Sequence, residues 1–313
     1  MLKKIFLSLF IILIALLSIA LYRTFTHLAY DVGKIEGEII SIDEVKASQN
    51  LAASIRFKTI SYQDKEKFPD EEFNNFIKWA AATYPEFHHV MEIDQLEHSL
   101  LFKWQGSDST LAPILFEGHH DVVPIIPGTE NLWRENPFAG VISNNRIWGR
   151  GTLDDKSGVI GLMEAATYLI KQNLKPKRTV YFSFGHDEEV GGSGAALITA
   201  KLKEEGVQLH WSLGEGSFVN KGFFPGIDKF VAPINVAEKG SANLMIVAKA
   251  KGGHSSTPPQ RTAVTILAEA LVKLEKEPLP GSLEGLSAAM FNEVSKHMPF
   301  SYRFLFANRW LFG

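Results

Sequence analysis

Four short segments rich in acidic and imidazole side chains constrain this chain most strongly. They are residues 117–124, 149–158, 185–189 and 214–216, and each lies at the end of a predicted strand or in the loop after it. In open α/β sheets, ligands bind at the carboxyl ends of the strands. The pattern therefore predicts a sheet whose one edge gathers these polar groups.

Strands and helices alternate through the same part of the chain. Buried strands are predicted over residues 113–116, 179–184 and 209–213, and amphipathic helices over residues 156–174 and 195–205. This alternation is typical of an α/β sheet with helices on both faces. Two further helices are predicted upstream, over residues 43–60 and 73–84.

The pattern changes near Val231. A strand is predicted over residues 243–251, followed by a Gly-Gly turn and a helix over residues 262–274. We expect residues 43–231 to form one α/β domain and residues 232–313 to begin a smaller α+β domain.

The composition narrows the available chemistry. The chain has no cysteine, which excludes disulfides, thiol catalysis and thiolate metal sites and leaves His, Asp and Glu as metal ligands. Its net charge is −3 and it has no basic block, so nucleic acid is not expected as a partner.

The N-terminus carries an apolar run over residues 5–22, behind Lys3 and Lys4. A membrane span needs about 17 to 25 such residues, and the positive flank places the N-terminus in the cytoplasm. Residues 1–25 are therefore an uncleaved anchor or a signal peptide cut near residues 18–20. Both alternatives remain open, and the length of the run favours the anchor. Residues 26–42 are expected to be a tether.

The first and third segments each combine groups that suit a metal site. His119 and Asp121 share a face of an extended chain, and a carboxylate beside a metal-bound histidine orients its ring. His120 points the other way and is expected to be structural. Glu188 and Glu189 directly follow a strand, where they suit a general base and a metal ligand.

The second and fourth segments add two carboxylates. Asp154 lies between two glycines and a helix, where it could bridge two cations. For Asp155, a role as the N-cap of that helix is as well supported as a role in the chemistry. Glu215 follows the strand predicted over residues 209–213. Two metals about 3.5–4 Å apart would polarise a carbonyl and acidify a water, whose proton Glu188 could accept.

Together these motifs resemble the dizinc metallopeptidase and aminoacylase family, and within it the branch of carboxypeptidase S and N-fatty-acyl-amino acid synthase/hydrolase. The resemblance extends from about residue 47 to the end. The motifs that carry it are residues 119–124, 149–156, 185–189, 238–241 and 252–256. It implies a zinc-peptidase-like three-layer catalytic domain with an inserted α+β lid and dimerisation domain.

The resemblance implies a ligand set for two zinc ions. His119 would bind one zinc, with Asp121 orienting its ring. Asp154 would bridge both ions. Glu189 and Glu215 would each complete one zinc shell.

The resemblance also implies the catalytic groups. Glu188 would be the general base, and a cis peptide bond would join Asp154 to Asp155. His254, in the lid domain, would help to hold the substrate or the developing oxyanion, in a homodimer across the subunit interface.

The implied function is hydrolysis of amide bonds in N-acyl amino acids or short peptides, outside the cytoplasm. Two departures bear on it. Gly214 stands where the family usually has Asp, and the family's last zinc-binding histidine comes from a segment after the lid, whereas this chain ends at Gly313. We therefore expect that the natural chain continues beyond Gly313 or that it is a broken or divergent product. The alternative function is a catalytically inactive, membrane-tethered binding protein or a fragment that lacks the last zinc-binding histidine.

Overall fold

The computed structural model describes residues 2–30, 33, 40–238 and 240–312. The chain forms two compact units, Gly37–Glu215 and Met1–Glu36 with Gly216–Gly313. The domain boundaries expected from the sequence, at 42/43 and 231/232, stay a prediction. Residues after Glu215 join the second unit because Phe224 and Ile227 pack against Met298.

The helices and strands of the described chain run in the following order. They are α1 Leu2–Thr26, α2 Glu44–Ser54, α3 Asp70–Thr83, α4 Pro85–Val90, β1 Glu92–Leu96, β2 Ser99–Trp104, β3 Ile114–His119, β4 Val141–Ser143, β5 Arg146–Trp148, α5 Lys156–Lys171, β6 Val180–Gly185, α6 Gly194–Glu204, β7 Trp211–Leu213, β8 Asn220–Lys221, β9 Phe230–Val231, α7 Ala263–Lys276, α8 Gly285–Ser295, α9 Phe300–Ala307 and α10 Arg309–Phe312. Short 3-10 turns span Lys65–Lys67, Glu130–Leu132 and Glu188–Val190.

The first unit is built on a five-stranded sheet with the order β1-β2-β6-β3-β7. Strands β6, β3 and β7 are parallel, whereas β1 and β2 run antiparallel to their neighbours. In register, His119 lies opposite Gly185, and Phe116 lies opposite Leu213 on the other side. This sheet confirms the predicted α/β class.

Helices cover both faces of the sheet. On one face, Met163 of α5 and Phe87 of α4 pack with Phe102 and Phe182. On the other face, Ile198 and Leu202 of α6 pack with the alternate strand residues Leu101, Leu115 and Tyr181. Because neighbouring residues of a strand point to opposite faces, each strand supplies both cores.

Capping side chains fix where two of these helices begin. The carboxylate of Asp43 accepts a hydrogen bond from the backbone N–H of Lys46 at 2.9 Å, and α2 begins at Glu44, directly after Asp43. The carboxylate of Asp155 accepts the N–H of Gly158 at 3.2 Å, at the start of α5. Each bond satisfies a donor that has no partner within the helix.

The second unit contains α1 and the helices from α7 onward. The predicted helix over residues 262–274 is present as α7, capped by Thr262. The predicted strand over residues 243–251 is wrong: these residues form no strand, and Leu244 and Met245 are exposed. A strand needs a partner for its backbone hydrogen bonds, and no described segment pairs with this one.

Helix α1 is 25 residues long and is long and apolar enough to cross a membrane, although a signal sequence passes the same test. Only Ala20 and Thr24 of this helix are buried.

We expect Phe87→Ala to destabilise the first unit by about 3–5 kcal/mol, because it leaves a cavity in the core. Phe87 is fully buried, and its ring centroid lies 4.8 Å from that of Phe102 and 5.4 Å from that of Phe182. Urea unfolding of the full chain in mild detergent, followed by tryptophan fluorescence, measures the loss. The matched control is Val90→Ala in the same helix, where 45% of the residue is exposed. Equal stability of the two variants would contradict the packing described.

Candidate metal centre

The sheet brings three of the four segments to one edge. Strand β3 lies between β6 and β7 and runs parallel to both. His119 is the last residue of β3, the turn Glu188–Val190 follows β6, and Glu215 follows β7. The carboxyl ends of adjacent parallel strands meet at the same edge, so these side chains converge as the sequence predicted.

The convergent side chains form a compact cluster around the ring of His119. Its Nε2 lies 3.0 Å from Asp154 Oδ1, 3.5 Å from Glu215 Oε1 and 4.0 Å from Glu188 Oε2. Ligand atoms of His119, Asp154 and Glu215 all lie within 4.8 Å of one another. One imidazole nitrogen thus faces three carboxylates.

Asp154 reaches the cluster from the loop before α5. Gly151 has φ +85°, and a Cβ there would lie 2.6 Å from the side chain of Val122, so the loop needs glycine at this position. The Asp154–Asp155 peptide bond is cis. Asp155 caps α5, and its other oxygen accepts the backbone N–H of His119 at 3.3 Å. Asp155 therefore joins the start of α5 to the end of β3.

Asp121 holds the other side of the ring. It is fully buried, and its Oδ1 lies 3.2 Å from His119 Nδ1. The backbone N–H groups of Glu188 and Glu189 donate to the same carboxylate at 3.2 and 3.1 Å. Ser61 Oγ donates to it at 2.6 Å. The carboxylate of Asp121 therefore fixes both the ring of His119 and the turn Glu188–Val190, which we call the acidic turn.

Ser61 is a site residue that the sequence reasoning missed. It lies 60 positions before Asp121, outside any recognisable motif. Its position depends on the pairing of Ile60 with Val122, a contact that no local pattern indicates.

Electrostatics in the cluster reflect crowded negative charge. Burial acts to lower the pKa of His119, but the hydrogen bond and charge of Asp121, with the charges of Glu215 and Asp155, raise that pKa to about 10. Burial, together with the charges of Asp154 and Asp155, raises the pKa of Glu215 to about 7. The pKa of Glu189 is raised by burial and by Asp154. Such a group of acids is stabilised by a cation.

The donor set fits a divalent metal ion. With Nδ1 held by Asp121, Nε2 of His119 is the ring nitrogen that faces Asp154 and Glu215. A carboxylate that accepts from one ring nitrogen of a metal-binding histidine is a common arrangement. Imidazole and carboxylate ligands suit zinc, cobalt and manganese.

His120 has the structural position that the sequence predicted. The ring is fully buried and stacks on Phe76, with centroids 4.9 Å apart and planes 8° apart. Neither ring nitrogen has a hydrogen-bond partner. Burial lowers the pKa of His120 to about 3, so the ring is neutral at physiological pH.

His254 lies in the second unit, in an exposed loop. Its Nδ1 is 2.7 Å from Ser256 Oγ and accepts the backbone N–H of Ser256 at 3.2 Å. Its expected role with the substrate stays a prediction.

Comparison with known proteins gives consistent matches. A family model described as Peptidase family M20/M25/M40 matches residues 115–308. Probable carboxypeptidase S-like 2 of Dictyostelium discoideum is 36% identical over 278 residues, covering 87% of this chain and 53% of that protein. The N-fatty-acyl-amino acid synthase/hydrolase of Homo sapiens is 36% identical over 289 residues, covering 89% of this chain and 56% of that protein. The chain thus spans about half the length of the curated relatives it matches.

Among solved structures, human carnosine dipeptidase 1 is similar with a TM-score of 0.47 and 19% identity, over 58% of this chain and 40% of that chain.

We expect the free energy of unfolding to decrease as the pH is lowered below about 6.5, because His120 is buried in the folded chain. The pKa of this ring is about 3 in the folded chain and about 6.5 when unfolded. Between these values only the unfolded state binds the proton, so stability is complete above pH ~6.5 and is lost towards pH ~3.

The measurement is the unfolding free energy as a function of pH. His120→Phe should reduce the slope between pH ~6 and ~4 by up to about 1.4 kcal/mol per pH unit. The control is His89→Phe, at an exposed imidazole. An unchanged slope in His120→Phe would show that the ring is not buried as described.

Proposed function

The chain belongs to peptidase family M20/M25/M40, a family of metallohydrolases, and from this premise we propose that it is a zinc-dependent hydrolase of amide bonds. The proposed substrates are N-acyl amino acids or short peptides cleaved beside the C-terminal residue. The observation that carries the proposal is the cluster of His119, Asp154 and Glu215, with the carboxylate of Glu188 4.0 Å from the same ring nitrogen.

We assign the metal ligands from the convergent donors. His119, Asp154 and Glu215 would hold one ion, and Asp154 and Glu189 would hold a second. The raised pKa values of Glu215 and Glu189 support this assignment, because these acids lie in a field of negative charge that cations relieve. Zinc is proposed on ligand type and on family membership.

Metal ions bound there supply Lewis acidity, polarising the scissile carbonyl and making a nearby water more acidic. Glu188 takes the proton from the attacking water and passes it to the leaving nitrogen. The side chain of Glu188 is 55% exposed, which leaves it open to substrate, while its backbone N–H is held by Asp121. Asp121 keeps Nε2 of His119 directed at the metal ligands.

Two relatives support the proposed substrate class, and they are named as a carboxypeptidase S-like protein and an N-fatty-acyl-amino acid synthase/hydrolase. Both names indicate products that carry a free amino acid carboxylate. In the proposed enzyme, His254 helps to hold the substrate, and the second unit forms a homodimer contact.

Helix α1 supports a location at a membrane. With Lys3 and Lys4 on the cytoplasmic side, an uncleaved α1 places the metal cluster outside the cytoplasm. Release of the catalytic part by cleavage near residues 18–20 is the secreted alternative.

Glu188→Gln is expected to reduce turnover of an N-acyl amino acid by at least about 10²–10⁴-fold, because the amide cannot accept the proton. Metal content by elemental analysis and the fold by circular dichroism should be unchanged. The control is Glu204→Gln, at an exposed position at the end of α6. Full activity in Glu188→Gln would remove this residue as the base.

His119→Ala is expected to lose both bound metal and activity, since it removes the ligand at the centre of the cluster. Retention of both would contradict the assigned site. A wild-type chain that binds zinc but hydrolyses no N-acyl amino acid or dipeptide would favour the tethered binding protein instead.

A further inference from the structure

The C-terminal end of α1 has a face that docks onto the rest of the second unit. Hydrogen bonds are made there by Ala20, Arg23 and Thr24 of α1 and by His27 directly after it, at helical spacings of three and four. The ring of Phe25 also packs on that of Phe300, with centroids 5.7 Å apart. Residues at these spacings lie on one side of a helix. The docking face, as we call these four residues, contains Ala20 and Thr24, the two buried residues of α1.

Directional hydrogen bonds hold the docking face in place. Asn308, which is fully buried, donates from Nδ2 to the carbonyl of Ala20 at 3.0 Å and to Thr24 Oγ1 at 3.1 Å. Arg23 Nε donates to the carbonyl of Ala307 at 2.9 Å. His27 Nε2 lies 2.9 Å from Ser295 Oγ. A buried amide is costly without its partners, so these bonds fix α9 against α1 in one register.

The position of the docking face along α1 sets its depth in a membrane. A hydrocarbon core about 30 Å thick needs about 20 residues of helix. Counted from Ile5, the first residue after Lys3 and Lys4, about 20 residues bring the end of the core to about residue 24, so the docking face from Ala20 to His27 straddles the boundary with the headgroups. Helix α9, which is bound to this face, lies at the same level.

The segment at that level exposes large apolar and aromatic side chains. Residues 300–312 include six that are 40–51% exposed, namely Phe300, Tyr302, Leu305, Trp310, Leu311 and Phe312. Aromatic side chains are enriched where proteins meet the membrane–water interface. The same segment contains two half-buried arginines, Arg303 and Arg309, and no acidic residue, so its net charge is positive and suits anionic headgroups.

We propose that residues 300–312 form a second membrane-contacting surface, which lies in the interface of the bilayer that α1 spans. The occupant of this apolar face is phospholipid. The surface is continuous with the anchor, because Asn308 of the same segment bonds to α1. The proposal rests on α1 being an uncleaved span, and it does not depend on the chemistry of the metal cluster.

Tryptophan quenching in vesicles tests the surface directly. The full chain is reconstituted into vesicles of phosphatidylcholine and phosphatidylserine, in which part of the phosphatidylcholine carries brominated acyl chains. Trp310 is one of six tryptophans, and α1 contains none. Brominated lipid should quench part of the wild-type fluorescence, and Trp310→Phe should remove that part. The control is Trp211→Phe on β7, which should leave it intact.

Three results would overturn the proposal. If aqueous iodide rather than brominated lipid quenches Trp310, the segment lies in water. If neither quenches it, protein covers the segment, for example a second copy of the chain. A chain that does not float with the vesicles refutes the span and the surface together, whereas hydrolysis by that chain is measured separately and is unaffected.

A pair of variants in α1 tests the connection between the anchor and the surface. Thr24 is fully buried in the docking face, whereas Thr26 is exposed two residues later. Thr24→Lys should lower the quenching of Trp310 by brominated lipid and raise its quenching by iodide, because α9 can no longer pack there. Thr26→Lys should change neither. Equal behaviour of the two variants would contradict the docking.

Discussion

The carboxylate of Asp121 is the group on which the geometry of the site depends. It lies 3.2 Å from Nδ1 of His119 and accepts the hydroxyl of Ser61 and the N–H groups of the acidic turn. Burial acts to raise the pKa of Asp121, but the bonds from His119 and Ser61 outweigh it and keep that pKa below its usual value. A charged, fully bonded carboxylate therefore joins the ends of β3 and β6 and directs the ring towards the other acids.

Much of the fold and of this cluster could be predicted from local patterns. Strand–helix alternation indicated the sheet, and acidic groups after β3, β6 and β7 had to meet once those strands were parallel neighbours. Ser61 could not be predicted, because its place depends on the distant pairing of Ile60 with Val122. The strand expected over residues 243–251 fails for a related reason: alternation indicates a strand but not whether a partner lies beside it.

The second unit combines an exposed apolar helix with a few buried polar contacts. Its N-terminal helix is almost wholly exposed and apolar, yet one short face is held by a buried amide and an arginine. Polar bonds at the end of an apolar helix suit the boundary between lipid and water, where both kinds of contact are available. Under the proposed function, attachment to a bilayer would concentrate the enzyme where amphiphilic substrates gather.

The zinc content of the purified full chain tests the central claim most directly. After zinc loading and removal of loosely bound ions, elemental analysis of the wild-type chain is compared with that of Asp121→Asn. At least one zinc ion per wild-type chain is predicted, held by His119, Asp154 and Glu215, with less zinc in Asp121→Asn because the histidine ring loses its anionic partner. A wild-type chain that retains no zinc would contradict the account, since the converging acids would then be a solvated cluster and not a metal centre.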